Sequence, residues 1–314
     1  MSIGPQIAGT LISKTKIVIT MAKILSDNCS KRAWDMGLVY YKTMRIGIFD
    51  SGLGGLIVAR AIRRAMPQYD YVYLGDTKRV PYGNRSHDAV FEFTKECVEH
   101  LFEKEKCALV IVACNTASAQ ALRELQKNFK NKKILGVLIP TAEEAAKFQR
   151  VGILGTAGTI ISNAFPREIR KLNKKTTVFQ NPAPMLVPLA EAGEKKNALP
   201  FIKKYLKPLI SKKPDALVLG CTHYPIFKRE ILRSFSEVGK KIHIISQDEI
   251  IPKKLKDYLA RHPEISKKLS LGHRPTGEAK KGTAKILVTD ETETIDKLTQ
   301  KWFGNVKPKL ISLS

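Results

Sequence analysis

The sequence predicts an α/β protein made of two similar, doubly wound parallel-sheet lobes with a cleft between them. Three observations carry that expectation. From Met44 onward, short β-branched runs alternate with stretches of helical period, the pattern of parallel strands joined by crossover helices. The first run and its turn, Ile46-Gly-Ile-Phe-Asp-Ser-Gly52, are echoed by Val151-Gly-Ile-Leu-Gly-Thr-Ala-Gly158. A later run, Ala108-Leu-Val-Ile-Val-Ala-Cys-Asn-Thr-Ala-Ser118, is echoed by Ala216-Leu-Val-Leu-Gly-Cys-Thr-His-Tyr-Pro225.

Taken in order, the first strand is expected at 45–49, followed by a glycine turn and a helix near 55–66. A second strand, 71–74, ends at Gly75-Asp76 and leads through a polar loop to a helix near 86–105. The third, 108–113, stops at Cys114 before a helix near 116–129. Further strands are expected at 134–138, 151–154, 177–179, 216–219, 242–245 and 285–288, each a short apolar run of buried-strand type. Helices near 141–148, 160–172, 197–210, 226–236 and 248–260 fill most of the gaps. This divides the chain into a first lobe, 44–141 plus 247–314, and a second, 142–246. Residues 1–43 show no clear period and are expected to form a poorly ordered N-terminal extension.

A chain of 314 residues can bury a substantial core, and its 43% apolar content is ordinary for a globular protein. No apolar run approaches the roughly 18 residues of a membrane span. The five cysteines follow no disulfide framework, so free thiols and a cytoplasmic location are expected. The net charge of +25 is spread over lysine pairs from Lys132-Lys133 to Lys280-Lys281 without interleaved aromatics. That pattern predicts a basic solvated surface rather than a dedicated nucleic-acid site, although non-specific attraction to polyanions follows from it.

The candidate chemistry sits where strands end. Open α/β sheets bind ligands beyond the carboxyl ends of their strands, so Cys114 and Cys221 are expected to face the cleft. Alone, either cysteine reads as a small buried hydrophobe. As a pseudo-repeated pair they suggest two thiols facing one another across a substrate, the geometry of two-base proton transfer. Asn115, Thr116 and Ser118 suit an anion at a helix start, where the helix N-terminus is expected to lower the Cys114 pKa toward neutrality. His223 is placed either to exchange protons with Cys221 or to orient a substrate carboxylate.

The turn Phe49-Asp-Ser-Gly-Leu-Gly-Gly-Leu56 has the outline of a dinucleotide loop, with Asp76 where a ribose-binding acid would stand. The fingerprint fails because Ile57 occupies the position of its third glycine, and the Asp50 charge would oppose a pyrophosphate. The loop suits a small zwitterion better, with Asp50 facing an ammonium and backbone N–H groups facing a carboxylate. The bland alternative is a plain turn in which Asp50 or Ser51 caps the helix. Cys97, His100 and Cys107 lack metal-ligand spacing, so no metal is expected.

These segments, Ile48-Phe-Asp-Ser-Gly-Leu-Gly-Gly55, Tyr73-Leu-Gly-Asp-Thr77, Pro81-Tyr-Gly83, Ala113-Cys-Asn-Thr-Ala-Ser118 and Leu219-Gly-Cys-Thr-His-Tyr-Pro225, resemble in order those of glutamate racemases, within the aspartate/glutamate racemase family. Gly155-Thr156, Thr159-Ile160 and Val187-Pro-Leu-Ala-Glu-Ala-Gly193 extend the likeness. The resemblance implies a cofactor-independent isomerase with glutamate held between two similar domains, making D-glutamate for peptidoglycan and so for cell-wall biogenesis and cell shape. It implies Cys114 and Cys221 as the acid/base thiols, with Asp50, His223 and Glu191 assisting. Asp50, Ser51, Tyr82, Gly83, Asn115, Thr116, Thr222 and His223 would line the substrate, and a homodimer without membrane association is expected. The chain departs from the family at Ile244-Ile-Ser-Gln247, where an acidic segment is usual, at Thr141 and at Ala183. The Ser246-Gln247 change bears on contacts at the lobe junction or on regulation. Rival readings are an aspartate or hydantoin racemase of the same group, a nucleic-acid or topoisomerase-binding protein supported only by charge, and a nicotinamide oxidoreductase lacking its third glycine.

Overall fold

The computed structural model describes residues 44–270 and 281–313; the expected extension 1–43 lies outside them. The described strands form two sheets in which every pairing is parallel. The first contains β1 (Arg45–Asp50), β2 (Tyr71–Gly75), β3 (Cys107–Val112) and β4 (Lys133–Gly136). The second contains β5 (Arg150–Gly155), β6 (Thr177–Pro182), β7 (Ala216–Gly220) and β8 (His243–Ile245). Two late strands, β9 (Ala284–Val288) and β10 (Lys309–Leu310), join the first sheet. The spatial orders are β10-β9-β2-β1-β3-β4 and β6-β5-β7-β8.

The second sheet therefore repeats the order of β1 to β4, and the internal echo in the sequence falls on equivalent strands: β1 with β5, and β3 with β7. In each sheet the winding direction reverses between those two strands. That reversal opens a crevice beyond their carboxyl ends, where α/β proteins seat ligands. Cys114 follows β3 and Cys221 follows β7, so both thiols stand at a switch point.

Both faces of each sheet are covered, which is why the strands read as apolar runs without polar alternation. On one face of the first sheet Ile46 and Ile48 pack with Leu56, Ala59 and Ile62 of the helix Gly55–Ala65, with Ile251, Leu255 and Leu259, and with Trp302. On the other, Phe49, Val110 and Val112 pack with Val98, Leu101 and Leu125. Cys97 and Cys107 belong to this second cluster and are plain core residues. In the second sheet Leu217 and Leu219 face Ile202, Leu206 and Ile231, while Val151 and Ile153 face Ala142, Phe165 and Ile169. The helix Leu138–Ala145 thus packs on the second sheet, and the helix Gln247–Arg261 returns the chain to the first.

Several elements differ in detail from expectation. The helix foreseen near 116–129 is two, Asn115–Gln120 and Leu122–Asn128, broken at Ala121. The one foreseen near 160–172 is also two, Ala157–Ile161 and Ala164–Leu172, because Asn163 between them adopts φ 53°, a left-handed conformation no helix interior tolerates. Helices at Leu186–Glu191, Pro263–Ser270 and Glu293–Trp302 fill gaps the periodicity left unassigned. The first has six residues and an internal Pro188, too short to display a period. Among the described residues no helix is long and apolar enough to cross a membrane.

Candidate active site

Cys114 and Cys221 line one cavity of about 400 Å³, with Ser51, Gly52, Tyr82, Gly83, Asn115, Thr116, Glu191, Thr222 and His223 also on its wall. A wider depression of about 650 Å³ lies beyond Gly83, Asn84 and Ala157, but neither thiol opens into it. The smaller cavity is therefore the one that holds chemistry. Its far wall, Pro184, Met185, Val187 and Pro188, comes from the loop and short helix that carry Glu191. In the sequence Val187 and Pro188 entered only as part of the family-like segment bearing Glu191, and Pro184 and Met185 carried no signal.

Cys114 caps the helix Asn115–Gln120: its Sγ accepts from the Ala117 N–H at 3.5 Å and donates to Ser51 Oγ at 3.3 Å. The helix start was expected to lower the thiol's pKa. Burial does the opposite, pushing it up to about 12, and the negative charge of Asp50 adds to that. The hydrogen bonds with Ser51 and Ala117 pull the other way and lose, because six residues of helix dipole do not replace the hydration a thiolate gives up. At rest Cys114 is a thiol.

Cys221 has a different partner. Its Sγ lies 3.8 Å from His223 Nδ1, and His223 Nε2 lies 3.0 Å from Glu191 Oε1. Burial alone would lower the His223 pKa, but the contacts with Cys221 and Glu191 outweigh it and carry it up to about 10. The Trp302 and His223 rings meet in a T-shaped arrangement, with centroids 5.5 Å apart and planes at 82°. A cation therefore sits beside the Cys221 sulfur at neutral pH, whereas Cys114 sits beside a carboxylate.

The His223 shift has a consequence for stability. The folded value, about 10, lies above the model-peptide 6.5, so the contribution is complete below about pH 6.5 and fades as pH rises toward 10. The melting-temperature gap between the wild-type protein and His223→Gln is expected to narrow across that window in circular-dichroism melts. A gap constant from pH 6.5 to 10 would contradict the assigned protonation.

Asp50 ends β1 and is 1% exposed. It accepts from the Gly52 N–H at 3.0 Å and from Thr222 Oγ1 at 3.4 Å, so it reaches across to the other lobe. Burial raises its pKa; the His223 charge and the bonds from Gly52, Gly55 and Thr222 oppose that. The helix after this turn is capped by Gly54 with no side-chain bond, so neither Asp50 nor Ser51 is a cap.

The glycines of the turn answer to close approach rather than to phosphate. A Cβ on Gly54 would fall 2.5 Å from both His223 Nδ1 and Thr222 Oγ1, and one on Gly55 would fall 2.5 Å from Asp50 Cβ. Asp76, the would-be ribose acid, is fully buried and taken up by Arg79 Nε at 2.6 Å, Tyr82 Oη at 2.5 Å and Thr289 Oγ1 at 2.8 Å. The dinucleotide reading ends here, and Tyr82 meets the cavity with its ring while its hydroxyl is spent on Asp76.

The remaining expected ligands are placed as follows. Thr116 Oγ1 lies 2.9 Å from Thr156 Oγ1 of the other lobe, which in turn caps Ala157–Ile161. Ser118 donates to Val112 O at 2.7 Å and is withdrawn from ligand binding. The Asn115 side chain is joined by two hydrogen bonds to Gln247, a residue noted in the sequence only as a departure at the lobe junction.

The sequence pattern of the Asp/Glu/Hydantoin racemase family matches residues 56–248. A glutamate racemase of Sulfurihydrogenibium sp. is 36% identical over 276 residues, covering 86% of this chain and 98% of its own length. One of Aquifex aeolicus is 38% identical over 275 residues, with the same 86% and 98% coverage. Among solved structures, the glutamate racemase isoform RacE1 of Bacillus anthracis superposes with a TM-score of 0.77 at 31% identity, covering 86% of this chain and 98% of its own. The Francisella tularensis glutamate racemase in complex with D-glutamate gives 0.77 at 28% identity, covering 87% and 98%.

Proposed function

The chain belongs to the Asp/Glu/Hydantoin racemase family, and from that premise and the geometry of its cavity we propose that it interconverts L- and D-glutamate by proton transfer at Cα between two cysteines. The observation that carries this reading is the pairing of the thiols. Two buried cysteines end equivalent strands of two repeated sheets, line one cavity, and lie near groups of opposite charge, Asp50 for Cys114 and His223 for Cys221.

The α-hydrogen of an amino acid is a very weak acid. One thiolate takes that proton from one face while the thiol opposite delivers its own to the other; in the reverse direction the two exchange roles. Asp50 offers the substrate ammonium a counter-charge, and that cation would in turn favour the ionised carboxylate in its buried site. The Ser51 hydroxyl, which only accepts from Cys114, and the remaining N–H of Asn115 stand on the cavity wall as donors for the substrate carboxylates, while the Thr222 hydroxyl is committed to Asp50 and that of Thr116 to Thr156. Negative charge building on the α-carboxylate in the transition state is then met by donors already in place. His223, held by Glu191, keeps a proton beside Cys221, and on the opposite side the Asp50 carboxylate is the base able to hold the Cys114 proton, with Ser51 accepting that thiol's hydrogen bond. Catalysis without an added cofactor is part of this reading, as are a homodimeric state and a cytoplasmic setting; the four described cysteines, all free, support the last. D-Glutamate made this way supplies peptidoglycan.

The deciding experiment follows the α-proton by NMR in D₂O, with L-glutamate and then D-glutamate and nothing else added. Both enantiomers are expected to gain deuterium as they interconvert. Absence of exchange from either would refute racemisation of glutamate, and a panel with aspartate and hydantoins would then identify the substrate.

A further inference from the structure

We propose that Gln247 is a positioning residue for this reaction, acting through Asn115, whose amide it locks in one orientation beside Cys114. The inference rests on the racemase reading of the cavity and adds to it a residue that does not touch substrate.

The two amides bond reciprocally. Asn115 Nδ2 donates to Gln247 Oε1 at 2.8 Å, and Gln247 Nε2 donates to Asn115 Oδ1 at 2.6 Å. Their residues are 2% and 1% exposed, so these bonds are shielded from bulk solvent. A primary amide has two N–H donors and two acceptor lone pairs; a reciprocal pair consumes one of each on both partners. Asn115 therefore keeps a single N–H and a single lone pair, and the ring of two bonds holds its amide plane. Without it the terminal torsion of asparagine is soft and roughly two-fold. Asn115 lines the cavity and follows Cys114 directly, so this lock determines what the substrate meets next to one of the two thiols.

Gln247 sits where it can do this for a structural reason. It opens the helix Gln247–Arg261 one residue after Ser246, at the point where the chain leaves β8 of the second sheet and returns to the first. The pair spans 132 residues of sequence and ties that crossing to the start of the Cys114 helix.

The test uses two substitutions in the full-length protein. Gln247→Met keeps the side chain's length and removes both hydrogen bonds. Gln247→Glu keeps its shape: protonated, the acid has one O–H and one carbonyl and can restore both bonds to Asn115, whereas ionised it has acceptors only. Gln247→Met is expected to lower kcat/KM for glutamate by about 30-fold at every pH, the order expected when a buried hydrogen-bonded pair is broken. Gln247→Glu is expected to stay within about threefold of wild type at pH 5.5. It then falls to the Gln247→Met level as pH rises to 9 through a carboxyl pKa that burial raises.

Activity is read as the ratio to wild type at each pH, which cancels the titration of Cys114, Asp50 and His223, and any effect of the Asp248 carboxyl next to Gln247, common to both. A purely structural pair would lower the melting temperature without moving that ratio. A flat ratio for Gln247→Glu, or wild-type kcat/KM in Gln247→Met, overturns the proposal while leaving the racemase reading intact. Loss of the reaction from wild type itself refutes both.

Discussion

Replacing either Cys114 or Cys221 with alanine lowers glutamate racemisation by at least about three orders of magnitude, the scale on which one positioned acid or base contributes to proton transfer. Each direction of reaction needs both groups, one to take the proton and one to give it, so the two single variants fail alike. The thiol that remains can still exchange a proton on its own face. Deuterium wash-in confined to a single enantiomer, opposite for the two variants, is the expected signature. Stability should change little, since a cysteine-to-alanine change removes one buried sulfur and creates at most a small cavity. Circular dichroism on each variant separates lost chemistry from lost fold. A variant with near-normal turnover would remove that cysteine from the mechanism.

Gly54→Ala costs about 1–3 kcal/mol of stability and about 100-fold in kcat/KM, although no residue with catalytic chemistry is altered. The backbone at Gly54 has φ −58° and ψ −34°, a conformation alanine adopts freely. The penalty is purely steric. The added methyl would sit 2.5 Å from His223 Nδ1 and Thr222 Oγ1, closer than any real Cβ contact, so either the turn or the Thr222-His223 segment must move. His223 is the partner of Cys221 and Thr222 the partner of Asp50, so a shift of either disturbs both sides of the cavity. Urea denaturation and steady-state racemisation measured on the same preparation test the two effects together. Wild-type values for both would show that the turn yields without consequence.

Much of this architecture was legible in the chain. Strands such as Ala108 to Val112 and Ala216 to Leu219 announce themselves because a parallel strand covered on both faces must be apolar throughout, and that is a local property. The echo between the two halves was legible for the same reason and fell on strands of equivalent rank in the two sheets. Glu191 entered only through family resemblance, since a six-residue helix containing proline carries no period to mark it.

The sequence by itself determined two wound parallel sheets and a cysteine at the end of a matching strand in each, because buried strands and glycine turns are written in neighbouring residues. Only the tertiary structure decided how Cys114 is protonated, why the turn needs Gly54, and that Gln247 grips Asn115. The helix start, a local feature, predicted a lowered Cys114 pKa; burial and the Asp50 carboxylate raised it. Desolvation, close approach and amide pairing depend on atoms brought together from distant parts of the chain. No window of adjacent residues contains them.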